Sequence, residues 1–134
     1  MLEGFKRLPA LSGNSFVSIT NNGINFNANV VFHMDKAEYI IVLLNEETKQ
    51  LAIQKSNKGD EDAIQFCRKP SKWKNGVRYN NRETQQIISK MMGWDLENYI
   101  YRVTGFFNDE EGAMIFNLLD AKTFNRRRRK NDTS

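Results

Sequence analysis

The chain has 134 residues, of which 40% are hydrophobic and 27% charged, and its formal net charge is +4 at pH 7. This length predicts one domain or two very small ones, and the apolar content suffices for a hydrophobic core. No apolar run approaches the roughly 18 residues of a membrane-spanning helix. We expect no secretory signal, and because Cys67 is the single cysteine, no intrachain disulfide forms and a cytoplasmic location is expected.

The positive charge is concentrated in two segments. Residues 65–90 contain seven Lys or Arg against Glu83 alone, and residues 126–130 add five more cations, so the remainder of the chain is net negative. Concentrated basicity of this kind predicts contact with polyanions rather than a property of the fold.

The first half of the chain predicts an alternation of short strands and one short helix. Residues 1–15, interrupted by Pro9 and Gly13, predict an irregular arm. The following elements are, in order, a strand Phe16 to Thr20, a turn at Asn21-Asn22-Gly23, a strand Ile24 to Phe26 and a helix Ala28 to Met34 capped by Asn27.

The stretch Tyr39 to Lys55 predicts the hairpin around which the chain is organised. Its first strand is a continuous apolar run, YIIVLL, which is typical of a strand covered on both faces. Asn45 to Thr48 form the polar turn, and Leu51 to Ile53 resume the apolar pattern. An isolated hairpin is only marginally stable in water, so this one requires a partner surface.

The second half predicts similar elements after a polar link at residues 56–62. These are a strand Ala63 to Cys67, a basic loop Arg68 to Asn75, a strand Val77 to Tyr79, a helix from Asn80 (the cap, with Glu83 completing a capping box) through Met92, and a hairpin of Tyr99 to Phe107 with Ala113 to Leu119.

The two halves resemble each other and predict a duplicated unit. Asn22 to Asn27 reads NGINFN and Asn75 to Asn80 reads NGVRYN, and a helix and an apolar hairpin with an acidic turn follow each. Chance recurrence of short patterns is the alternative. The predicted fold is therefore α+β and β-rich, with two similar β-β-α-β-β units, residues 16–56 and 63–120, packed as a pseudo-twofold swapped-hairpin barrel. A disordered basic tail, residues 121–134, is expected to follow.

The first unit, VSITNNGINFNANVVFHMDKAEYIIVLLNEETKQLAIQK, resembles the SpoVT–AbrB swapped-hairpin domain of bacterial transition-state regulators and antitoxins. The resemblance covers about forty residues of pattern and implies interleaved hairpins and DNA binding by a dimer, so a homodimer of this chain is one expectation. The family usually has Arg or Lys after the turn glycine and Pro before the helix. Here Ile24-Asn25 and Asn27 occupy those positions, so the basic second half is expected to dominate binding. The overall composition also resembles uncharacterised proteins of low-GC Gram-positive bacteria and their phages.

A basic cluster and a basic tail are the candidate nucleic-acid-binding residues. Cations neutralise phosphates, and an exposed Trp stacks on a base or sugar. A solvated loop held by a buried Trp is the equal alternative for the cluster, and a solubilising tail is the alternative for the second set. The candidate residues are Lys72, Trp73, Lys74, Arg78, Arg82, Arg126, Arg127, Arg128 and Arg129.

The remaining reactive residues predict no catalytic or metal site. His33 has no Cys or His at ligand spacing. Cys67 precedes Arg68 and Lys69, which are expected to lower its pKa, although a small buried hydrophobe is the commoner role. The acidic turns at 60–62 and 109–111 lack the spacing of a calcium loop. We therefore expect neither an enzyme nor a cofactor.

Two functions follow from these patterns. The first is a nucleic-acid-binding protein, with DNA more expected than RNA, acting as a transcriptional regulator that holds the phosphate backbone. The second is a phage or mobile-element inhibitor, similar in kind to anti-CRISPR proteins, that binds a host nucleoprotein; its segregated charge would steer the encounter. A membrane partner is not expected.

Overall fold

A computed structural model describes residues 3–4 and 14–126. The elements are β1 (Phe16–Thr20), β2 (Gly23–Phe26), α1 (Ala28–His33), β3 (Tyr39–Asn45), β4 (Gln50–Lys55), β5 (Ile64–Gln65), a 3₁₀ segment (Pro70–Asn75), β6 (Val77–Tyr79), α2 (Arg82–Met92), β7 (Tyr99–Asn108), β8 (Ala113–Asn117), a 3₁₀ turn (Leu118–Asp120) and β9 (Lys122–Asn125).

The strands form one antiparallel sheet that curves into a half-barrel with few helices. The order is β5-β3-β4-β8-β7-β1-β2-β6, and β9 pairs with the first part of β7. The β-rich α+β class predicted from the sequence is therefore confirmed. The strands β5 and β6 are the two ends of this order.

The two halves of the chain are interleaved in the sheet. Strand β1 of the first half pairs with β7, strand β5 of the second half pairs with β3, and the hairpins meet where β4 pairs with β8. The predicted contact between the two apolar hairpins is thus present. Because an exposed hairpin is unstable alone, this pairing gives each hairpin the partner that it requires.

The concave face of the sheet carries the core, which draws on both halves. Side chains at alternate strand positions are fully buried, as the period of two along a strand requires. Each burial of this size contributes about 1.5–3 kcal/mol relative to exposure. The largest fully buried side chains include Ile19, Ile24, Phe26, Ile40, Leu51, Ile53, Ile88, Met114 and Phe116.

The first helix forms for the predicted reason. The side chain of Asn27 accepts hydrogen bonds from the backbone N–H groups of Val30 and Phe16, so it caps α1 and ties it to β1. Val30, Val31 and Met34 are fully buried, as expected. The second helix begins one residue later than predicted, because Asn81 rather than Asn80 supplies the cap by accepting from the N–H of Thr84.

The expectation that the apolar run of β3 is covered on both faces is wrong. Ile40 is fully buried on the concave side, but Leu43 on the convex side is 44% exposed. The apolar run reflects one packed face and one face without a covering layer. A continuous apolar sequence does not distinguish these two situations.

The predicted tail, residues 121–134, begins with an ordered strand, so the expectation of a disordered tail is wrong for residues 122–125. Strand β9 pairs along β7, with Lys122 opposite Arg102 and Phe124 opposite Ile100. It follows the 3₁₀ turn directly and so continues along the side of β7 that β8 occupies further on. Most of the predicted arm and the tail beyond Arg126 lie outside the described residues.

A glycine in β7 permits close packing of the core. A Cβ atom on Gly105 would lie 2.5 Å from Cε1 of Phe116, closer than real Cβ contacts allow. We predict that Gly105→Ala lowers the free energy of unfolding by about 1–3 kcal/mol, the usual cost of overpacking. Chemical denaturation checks this, with Gly59→Ala in the polar link as the control. Equal stability of the two variants would contradict the packing described here.

Candidate nucleic-acid interface

The convex face of the sheet carries a row of polar and cationic side chains that crosses five strands. Successive register pairs bring into line Arg78 of β6, Asn25 of β2, Ser18 of β1, Arg102 of β7 and Lys122 of β9. Directly paired residues in antiparallel strands project to the same face. With about 4.8 Å between neighbouring strands, the row spans roughly 19 Å. This set is called the convex row below.

The guanidinium of Arg102, in the convex row, contacts two aromatic rings. Its guanidinium carbon lies 4.4 Å from the ring centroid of Phe16 and 5.0 Å from that of Phe124. Phe124 is 42% exposed. Cation–π contacts of this kind hold a guanidinium in place at about 0.5–1 kcal/mol each when exposed. The planar cation and an exposed aromatic ring are therefore presented together to solvent.

No ion pair among the described residues neutralises the charge of the convex row. In the part of the chain that the structure describes, the ion pair that forms joins Lys55 to Asp35, away from the row. Arg78 instead donates from Nε to Oδ1 of Asn25 at 2.9 Å, a contact that orients the side chain without cancelling its charge. The row is thus a cationic surface with open capacity for an anionic ligand.

A groove continues from one end of the convex row. It has a volume of about 600 Å³, lies where residues of both end strands β5 and β6 meet, and includes four cations in its lining: Arg68, Lys69, Lys72 and Arg78. No Asp or Glu is among its lining residues in the described chain. Of the predicted binding residues, Lys72 and Arg78 are therefore brought together, and Arg78 belongs to both the groove and the row.

Trp73 is half-buried and holds the 3₁₀ segment against α1. Its ring centroid lies 5.3 Å from that of Phe32, and the ammonium groups of Lys36 and Lys74 lie 5.2 Å and 5.9 Å from the ring. This geometry agrees with the structural alternative stated for Trp73. Its stacking on a base stays a prediction, and Lys74 is near this ring rather than in the groove.

The other predicted cations are separated. Arg82 is the exposed first residue of α2. Arg126 follows the last residue of β9, four residues after Lys122, and its backbone N–H donates to the carbonyl of Asn98 and its guanidinium to the carbonyl of Glu97. Arg127, Arg128 and Arg129 lie outside the described residues.

Comparisons with known proteins identify no family for this chain. No protein-family model, no curated protein and no solved structure matches this chain. Within the described residues, no cluster of His, Cys, Asp or Glu able to hold a metal ion is present. No helix among them has the length and apolar character needed to cross a membrane.

The sequence reasoning missed Arg102, Lys122 and Phe124. A signal for Arg102 was present in the alternation of β7, where buried Tyr101 and Val103 flank the exposed arginine. The signal for Lys122 and Phe124 was weak, because a four-residue strand beside an Arg-rich segment reads as part of the tail. Phe16 was recognised only as a member of an alternating strand.

An apolar stripe lies further along the same convex surface. Register pairs align Leu43 of β3, Ala52 of β4, Ile115 of β8 and Phe106 of β7. Leu43 and Phe106 are 44% and 56% exposed. Because Phe106 and Arg102 both project from the convex face of β7, the stripe adjoins the cationic part of the surface.

Burial dominates the chemistry of the single cysteine. Desolvation raises the pKa of the Cys67 thiol, and the smaller opposing effects of Lys36 and the backbone N–H of Lys69 do not reverse this. The expectation that neighbouring cations lower its pKa is therefore wrong, whereas its role as a small buried hydrophobe agrees with an exposure of 3%.

We predict that Cys67 reacts slowly with iodoacetamide near neutral pH. Only the thiolate is nucleophilic, and a raised pKa leaves less thiolate at a given pH, so the rate should increase as the pH rises through that value. Mass spectrometry of the alkylated protein measures the rate, with the same protein in denaturant as the control. Equal rates in the folded and denatured protein would contradict the assignment.

Proposed function

We propose that the protein binds nucleic acid on the convex face of β9-β7-β1-β2-β6, with the phosphate backbone held by cations of the convex row. The observation that carries this proposal is Arg102, fixed between Phe16 and Phe124 in line with Arg78 and Lys122 and unpaired with any described carboxylate. Phosphate neutralisation with release of counterions supplies most of the affinity in such complexes.

The convex face fits this ligand better than it fits a structural role. A salt-bridge network would pair the cations internally, whereas these cations face solvent beside hydrogen-bonding Ser18 and Asn25. Arginine next to an aromatic ring serves two contacts at once, since the guanidinium binds phosphate in a planar fork and stacks on bases. Arg126 extends the same cationic surface beyond β9.

We also propose that the two halves are related by a pseudo-twofold axis, as in a swapped-hairpin barrel. Such an axis would exchange β1, β2, β3 and β4 with β5, β6, β7 and β8, respectively. This exchange converts each pair of neighbouring strands in the main order into another neighbouring pair, with one exception: β1 and β2 are paired, whereas β5 and β6 flank the groove. Fully buried residues exchange with fully buried residues, which supports the proposal: Ile40 with Val103, Leu51 with Met114 and Ile53 with Phe116.

The binding proposal predicts a defined change in salt dependence. We expect Arg102→Ala/Lys122→Ala to weaken binding to a mixed-sequence oligonucleotide and to reduce the slope of log K against log salt by roughly 0.7–0.9 for each phosphate that the variant no longer neutralises. Fluorescence anisotropy across a salt series measures both. Lys58→Ala/Lys90→Ala removes the same charge from other exposed sites and should leave the slope nearly unchanged. Parallel weakening in both variants, or no binding at low salt, would refute the proposal.

A second candidate function is supported by the apolar stripe. A host nucleoprotein presents nucleic acid and protein side by side, and here a cationic surface adjoins exposed Leu43 and Phe106. Exposed apolar patches of this kind mark protein contacts. An inhibitor of such a nucleoprotein would use the convex row for the nucleic acid and the stripe for its protein.

The stripe predicts a variant that separates these two contacts. Leu43→Ser/Phe106→Ser should keep its affinity for free oligonucleotide, because the convex row is intact, and should lose any partner that survives nuclease treatment in an affinity purification. Arg102→Ala/Lys122→Ala is the matched comparison and should keep that partner. If both variants retain the same partners, the stripe is not the contact.

A further inference from the structure

We infer that the nucleic acid is single-stranded and follows one continuous path, from β9 across the convex row and into the groove between β5 and β6. This inference rests on the proposed function and adds the class of ligand to it. Three features carry it: the shared position of Arg78, the turn of the path around the edge strand β6 and the aromatic contact at Arg102.

Arg78 joins the two cationic surfaces. It is the last member of the convex row and also lines the groove with Arg68, Lys69 and Lys72. Its Nε is committed to Asn25, which fixes the guanidinium at the junction. A backbone held by Lys122 and Arg102 therefore reaches the groove cations by way of Arg78.

The path into the groove leaves the convex face at the edge strand β6, which favours a single strand over a duplex. Its volume of about 600 Å³ lies beside the short end strands β5 and β6, with Ile64 and Tyr79 among its walls. Duplex DNA is stiff, with a persistence length of about 50 nm, and does not bend sharply around an edge strand without an energetic cost. A single strand makes this turn freely, and its phosphates reach all four cations.

The exposed ring of Phe124 beside Arg102 favours a ligand with unpaired bases. Phe124 is exposed and lies beside the Arg102 guanidinium, so an unpaired base stacks on the ring, on the guanidinium plane or between them. Bases in a duplex are already stacked on each other and offer only their edges. Antiparallel sheets with exposed aromatics and cations are the recurrent platform for single strands, because every base has a stackable face.

Competition between single and double strands tests the inference. The probes are fluorescein-labelled oligodeoxyuridylate and oligouridylate of about 12 nucleotides, a length within the range of one such module, and a duplex of equal length. We expect the single strands to bind at least about tenfold more tightly than the duplex at moderate salt. The two sugars distinguish DNA from RNA as the source of the strand.

Two variants connect the preference to the path. Phe124→Leu keeps the apolar volume but removes the aromatic plane, and it should weaken single-strand binding on the order of tenfold while leaving the weak duplex binding unchanged. Lys72→Ala in the groove should also weaken single-strand binding selectively, whereas Lys58→Ala should not. Circular dichroism and thermal unfolding confirm that each variant is folded.

The possible outcomes distinguish failure of this inference from failure of the proposed function. Equal affinity for duplex and single strands, or an unchanged affinity in Phe124→Leu, overturns the single-strand assignment and leaves nucleic-acid binding intact. Unchanged affinity in Lys72→Ala overturns the path through the groove. Absence of binding to every oligonucleotide at low salt overturns the proposed function itself.

Discussion

The alternation of strand β7 is the constraint on which the rest of the structure depends. This strand pairs with β1 along one edge and with β8 and β9 along the other, so it joins the two halves of the chain. Its period of two sends Tyr101 and Val103 into the core and Arg102 to the convex surface. The same backbone that closes the core thereby fixes the position of the central cation.

The core and the candidate site therefore use different side chains of the same strands, and the shared backbone couples their positions. The register that aligns Ser18 with Arg102 also directs Val17 and Val103 into the core, whereas substitutions on the convex face leave the buried side chains unchanged. Surface changes of this type usually alter stability by no more than about 0.5 kcal/mol. The convex face is therefore a surface on which charge and aromaticity can vary without loss of the fold.

Much of the fold followed from the sequence, because local signals and tertiary structure agree in most elements. The Asn-Gly turn before β2, the Asn27 cap of α1 and the two apolar hairpins each predicted the element that forms. The covering of β3 was predicted wrongly because an apolar run reports hydrophobicity and not the number of packed faces. Strand β9 was not predicted because it forms through a tertiary contact with β7, and its four residues carry no local strand signal.

The candidate site was predictable only where cations are close in sequence. Lys72 and Arg78 share a groove, as their spacing indicated, although the aromatic of that cluster, Trp73, packs against Phe32. The convex row combines residues from five strands, and its alignment is set by register pairs that no sequence window contains. Arg102 in particular is a single arginine in an apolar strand, and its partners Phe16 and Phe124 are far from it in the chain.

Chemical-shift mapping by NMR tests the central claim most directly. Titration of ¹⁵N-labelled protein with an oligonucleotide should perturb the amide and side-chain signals of the convex row and of Phe124, with the Arg102 Nε–H group most affected. Resonances of the apolar stripe and of the exposed face of α2 should remain unchanged. Perturbations centred on Trp73 and α1, with the convex row silent, would contradict the account.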